Sequence, residues 1–139
     1  MSGSDASAAW PLQKAVFAAL AADAALSGLV GDRIYDDVPQ STAFPYLAFA
    51  QVQARDWSTG TETGEEHVLL LHVWSRAAGR GEAHAVVAAI RDVLHDAALT
   101  LDGHRLVQLR HEQSDVRRDP AGETVQGIVR LRALTEPLA

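Results

Sequence analysis

Glu66-His67-Val68-Leu69-Leu70-Leu71-His72-Val73-Trp74-Ser75-Arg76 is the stretch whose reading decides the fold. Val68, Leu69, Leu70, Leu71, Val73 and Trp74 put apolar groups on both sides of an alternating chain, as in a strand covered on both faces in the middle of a sheet. Tyr46 to Trp57 reads as its antiparallel partner. Phe44-Pro45 fixes where that partner begins, and Thr59-Gly60 and Gly64 mark the connection.

Outward from this pair the period changes. Leu12, Val16, Phe17 and Leu20 recur at helical spacing, and Pro11 suits a first turn because its missing N–H is not needed there. A short second turn, Ala24 to Leu29, follows Asp23 and stops at Gly31. Ile34 and Tyr35 form one brief extended piece before a loop with Pro39. Gly79 and Gly81 precede a helix to about Asp96, with Val86, Val87, Ile90, Val93 and Leu94 in one stripe. Leu99 to Leu101 turns at Asp102-Gly103 into Arg105 to Arg117. Asp119-Pro120-Ala121-Gly122 then leads into Glu123 to Thr135. The expectation is an α+β domain of two helices packed on a four- to five-stranded, mainly antiparallel sheet. Residues 1–9, small and polar, are expected to be a flexible tail, and 10–139 a single domain.

The chain has 139 residues, the size of one core, with 47% hydrophobic and 22% charged residues, an ordinary globular composition. Its net charge of -6 gives no electrostatic reason to seek nucleic acid or an anionic membrane. It contains no cysteine, which excludes disulfides and thiolate metal sites and fits a reducing cytoplasm. No signal-like start and no apolar run of membrane-spanning length is present, so no membrane partner is expected.

Catalytic patterns are thin. His67 and His72 are an odd number of residues apart on one strand and face opposite ways, while His84 and His95 are about three helical turns apart, which favours surface or interface histidines over metal ligands. There is no Gly-x-Ser-x-Gly turn. Gly79-Arg80-Gly81 lacks the lysine and hydroxyl of a phosphate loop, and reads as a flexible start to the helix. Asp36 and Asp37, with Glu62, Glu65 and Glu66, are acidic clusters without calcium-loop spacing, for which solvation is the plain reading. The expected catalytic, cofactor and metal sets are therefore empty.

Two features suit partner contact instead. The polar connection Arg55 to Glu66, with Arg55, Trp57, Thr59, Thr61 and Glu62, has the aromatic and arginine anchors of a partner-contact arm, though an ordinary mobile hairpin is an equal reading. Arginines including Arg110, Arg130 and Arg132 concentrate in the last hairpin and face a choice between DNA and acidic loops of a neighbouring copy around Asp36 and Asp37. The net acidity favours the protein contact.

The blocks Pro11-Leu12-Gln13-Lys14-Ala15-Val16, Leu29-Val30-Gly31-Asp32-Arg33-Ile34-Tyr35-Asp36, Val38-Pro39, Phe44-Pro45-Tyr46, Asp56-Trp57-Ser58-Thr59 and His72-Val73-Trp74-Ser75 occur in order. Together they resemble the tail-completion, or tail-terminator, family of siphophages, which also occurs in prophages and gene transfer agents. The likeness covers about Pro11 to His95. It implies a non-enzymatic subunit similar to the minor tail protein U type: a homo-oligomer, a hexameric ring, that caps the tail tube and meets the head-side connector or stopper protein. DNA at most passes through the lumen. The implied place is the tail or neck of a phage-like particle, assembled in the host cytoplasm. A head-side connector or stopper ring is the first alternative, separable by co-purification with tailless heads or headless tails. A small hydrolase or ligand-binding domain is the second and would need a pocket joining Asp37 and His72.

Overall fold

In the computed structural model, which describes residues 7–138, three helices lie over one side of a six-stranded sheet. Helix α1 (Ala9–Ala22) and helix α2 (Ala24–Val30) are followed by strands β1 (Ile34–Tyr35), β2 (Tyr46–Asp56) and β3 (Glu65–Ser75). Helix α3 (Gly81–Leu94) then precedes β4 (Thr100–Leu101), β5 (His104–Arg118) and β6 (Val125–Pro137). The order across the sheet is β1-β2-β3-β6-β5-β4. The fold is α+β as expected, with two corrections. The Ala24 segment is a true helix, making three, and the sheet has six strands and is mixed, because β1 runs parallel to β2.

Local chemistry sets the breaks. The Asp23 carboxylate accepts from the Leu26 N–H (2.9 Å), which starts α2, and Gly31, at φ 61°, ends it in a conformation that a Cβ would strain. At the start of α1, Glu65 from β3 accepts from the Ala8 N–H (2.7 Å) and the Ser7 hydroxyl (3.1 Å). Of the expected flexible tail, residues 1–6 lie outside the described residues, whereas Ala8 is buried and Ala9 opens the helix.

The core lies between helices and sheet. Leu12, Val16 and Leu20 of α1, Leu26 and Val30 of α2, and Val86, Ile90 and Leu94 of α3 close over Leu69, Leu71 and Val73 of β3. Val129, Leu131 and Ala133 of β6 complete that floor. Each such leucine removed from water contributes about 2 kcal/mol. Gly127 of β6 lies beneath α3, where a Cβ would come 2.8 Å from Val87 Cγ2, so its bareness lets the helix approach the sheet. No single helix is long and apolar enough to cross a membrane among the described residues.

Candidate interaction surfaces

β3 is central, as its sequence implies, but only one of its faces is covered. His67, Leu69, Leu71, Val73 and Ser75 point into the core and are buried, while Val68, Leu70, His72 and Trp74 are half-buried on a side with no helix among the described residues. Pairing carries that alternation across the sheet. Leu70 lies opposite Arg130, Val68 opposite Arg132 and His72 opposite Ile128, giving a broad bare face of mixed apolar and arginine character.

A charge network crosses this face. Glu66 accepts from Arg55 Nε (2.5 Å) and also from Arg132 Nε, while Arg130 Nε donates to Glu112 (3.1 Å). The Arg132 hydrogen bond holds the Glu66 carboxyl below the usual carboxylate range; partial burial opposes this and Arg55 adds to it. Arg55, Glu66, Glu112, Arg130 and Arg132 border a depression of about 360 Å³, and Arg110 borders its neighbour with His111. The expected inter-subunit arginines are thus gathered on one face, and Arg130 and Arg132 carry partners within their own chain.

On the helix side, at the β2 edge, Trp10 and Phe17 of α1 and Phe49 of β2 line an apolar groove of about 380 Å³, rimmed by Lys14 and Asp36. Trp10 is 57% exposed and Phe17 39%. Phe17, expected in the core from its spacing, sits at the border of the buried stripe instead. Asp36 accepts from Gln13 Nε2 (2.6 Å), and Asp37 is exposed in the loop after β1.

The arm is shorter than Arg55 to Glu66, because β2 runs through Arg55 to Asp56 and β3 starts at Glu65. What remains is a tied turn. The Trp57 N–H donates to Gly64 O (2.8 Å), the Thr59 N–H to Glu62 O (2.8 Å), and the Glu62 N–H to Thr59 Oγ1 (3.0 Å). Thr61 is exposed at its tip. Trp57 is 51% exposed and borders a hollow with Val107 and Leu134, so the turn presents a half-exposed indole.

The titratable groups do not converge. His67 is fully buried with Nε2 at 2.9 Å from Thr135 Oγ1, and burial lowers its pKa, partly offset by Glu65. His72 contacts Gln126 (3.3 Å) on the bare face, whereas Asp37 lies beyond the opposite side of β2, in the loop after β1. Burial first and Arg117 second lower the His72 pKa. Among the described residues no group of three His, Asp or Glu is placed to hold a metal ion.

Known proteins resemble this arrangement over nearly its whole length. A chain from a structure titled "Virion of native gene transfer agent (GTA) particle" is 35% identical, with a TM-score of 0.84, covering 90% of this chain and 94% of that one. The bacteriophage SPP1 gp17 protein shares the fold at 21% identity and a TM-score of 0.64, covering 95% and 91%. No curated protein matches. The family described as tail completion protein gp17 matches residues 14–136, well into the last strand and past the His95 limit of the sequence resemblance. The chain therefore belongs to the tail completion protein gp17 family.

Proposed function

We propose that this protein is a tail terminator: a ring, of six copies by the family resemblance, that caps the finished tail tube and joins it to the head-side connector of a phage-like particle. The observation that carries the reading is the end-to-end likeness, at 35% identity, to a chain of a gene transfer agent virion. Its role is structural, with no catalytic residue assigned. The ring assembles in the host cytoplasm and stays at the tail–neck junction, with DNA only passing through.

A ring built by one repeated heterologous contact needs two different surfaces on opposite flanks. Asp36 and Asp37 supply acidic groups on the β1 flank, while Arg110, Arg130 and Arg132 lie on the bare sheet face, two of them already paired within the chain, and line the lumen rather than the contact. The Trp57 to Gly64 turn, with its exposed indole, reaches the tube or the connector. The test is a particle lacking the protein. Intact heads and separate tails, rejoined when the purified protein is added, support termination; joined particles without it refute the reading. A protein that co-purifies with tailless heads and ignores tubes belongs to the head-side connector instead.

A further inference from the structure

The sheet ends in two unfinished edges. β1 covers β2 only at Leu47 and Ala48, so past the bulge at Ala50 no strand among the described residues lies on that side of β2 as far as Asp56. At the other flank β4 covers β5 only at His104 and Arg105. The Asp96 N–H takes up the Leu109 carbonyl (2.8 Å) and the His95 ring accepts from the His111 N–H (3.1 Å). From Gln113 to Arg118 no strand among the described residues lies beside the outer side of β5.

Strand geometry decides which backbone groups face outward. Leu47 points its side chain into the core, and its N–H donates off the edge to Arg33 O (3.1 Å). Val52, Ala54 and Asp56 face the same side of the sheet, pairing with Leu69, His67 and Glu65, so their N–H and C=O groups also point off that edge. On β5, Ser114, Val116 and Arg118 lie opposite Val129, Gly127 and Val125 of the core face, and their backbone groups point off the other edge. Each edge thus presents three residues with outward donors and acceptors. Left bare in an assembled particle, they invite pairing.

We infer that these two edges pair with each other between copies: Val52, Ala54 and Asp56 of one subunit with Arg118, Val116 and Ser114 of the next. The sheet then continues around the ring, bare face toward the lumen and helices outside. The inference deepens the ring proposal and rests on it. Directions agree, because β2 and β5 run oppositely within the sheet and rotation about a ring axis keeps each strand's sense, giving an antiparallel ladder. Charges agree as well. This register sets Arg55 against Asp115 and Gln53 against Arg117, whereas a slip of two residues sets Arg55 against Arg117 or Gln113 and leaves an outward pair unmade.

The hand of the fold agrees independently. Seen from the helices with β2 running upward, the outward Leu47 N–H places β1 to the right of β2, so the free part of β2 is at upper right and that of β5 at lower left. That is the stagger of a barrel whose strands tilt in the right-handed sense that natural sheet twist requires. Four long strands per copy, spaced ~4.8 Å apart and offset by about six residues of ~3.3 Å, set a tilt of roughly 45°, at the upper end of the usual barrel range. Docking on β2 also brings the neighbour's Arg118 toward Asp36, beside the Trp10 and Phe17 groove.

The chain contains no cysteine, which makes a clean crosslinking test possible. Gln53→Cys and Arg117→Cys in one chain face each other at a non-hydrogen-bonded antiparallel position, close enough for a disulfide between copies. Mild oxidation of assembled rings should give a reducible ladder ending at the full ring mass, and Gln53→Cys with Gln113→Cys should give none. Rings that resist Gln53–Arg117 crosslinking overturn the edge pairing while leaving the ring proposal standing. No rings from the wild-type protein, alone or on tube ends, overturn both. Asp115→Arg should cut ring recovery at least tenfold and Arg55→Asp in the same chain should restore it; failure to restore also counts against the register.

Discussion

Gly127→Ala tests how closely α3 is seated on the sheet. The added methyl would meet Val87 Cγ2 at 2.8 Å and Val73 Cβ at 3.2 Å, both on β-branched side chains with little rotamer freedom to move aside. Overpacking of this kind costs about 1–3 kcal/mol, and the stiffer unfolded chain returns about 0.4–1 kcal/mol. The net loss is about 1–2 kcal/mol, which for a domain of this size lowers Tm by roughly 3–8 °C. Thermal unfolding followed by circular dichroism measures it. Val87→Ala removes the obstructing methyls, so the same glycine substitution should cost clearly less in that background, a coupling that a double-mutant cycle reads directly. A Gly127→Ala protein that melts at or above wild type, or an undiminished cost beside Ala at 87, would refute the argument that this glycine sets the helix–sheet distance.

Leu71→Ala, at a fully buried position of the central strand, should cost about 2–5 kcal/mol in urea unfolding, and a loss under 1 kcal/mol would contradict the assigned core. His67 should make the fold acid-sensitive. Burial lowers its folded pKa below about 6.5, so its contribution is full above that pH and is lost as pH falls toward the folded value; His67→Gln should flatten that part of a stability–pH curve. Glu65 and His104 also act on His67, in opposite directions, so the comparison is with the variant rather than with an ideal histidine. Glu66→Leu leaves Arg132 and Arg55 without their shared carboxylate and should destabilise, whereas Trp57→Ala should leave Tm within about 2 °C and impair head–tail joining.

The local signals were readable in advance. Asp23 before an alanine-rich turn and Gly31 after it bound α2, and the apolar run from Val68 to Trp74 marks a central strand. What escaped detection depends on distant partners. Ile34 and Tyr35 read as a brief extended piece, but two residues carry no sign of a partner, and the parallel pairing of β1 depends on the loop between Tyr35 and Tyr46. Val68, Leu70 and Trp74 imply cover on both faces, yet the helices among the described residues cover only one. Arg132 looks available for a neighbour until the fold brings Glu66, far away in sequence, against it. Phe17 shows the limit of periodicity at a stripe's border, where one helical position separates core from surface.

The bulge at Ala50 and those at Leu106/Gln108 and His111/Gln113 sit in the two outer long strands, where each adds local twist and bend. For a polypeptide with two mutually fitting flanks, curvature is a matter of termination: a flat copy adds another without end, and a bent one meets its own first member. In the ring proposed above, these irregularities would act as a counting device. Straightening them, by deleting Ala50 for instance, should trade discrete particles for fibres, which would deplete the protein in the cell before any tail was finished.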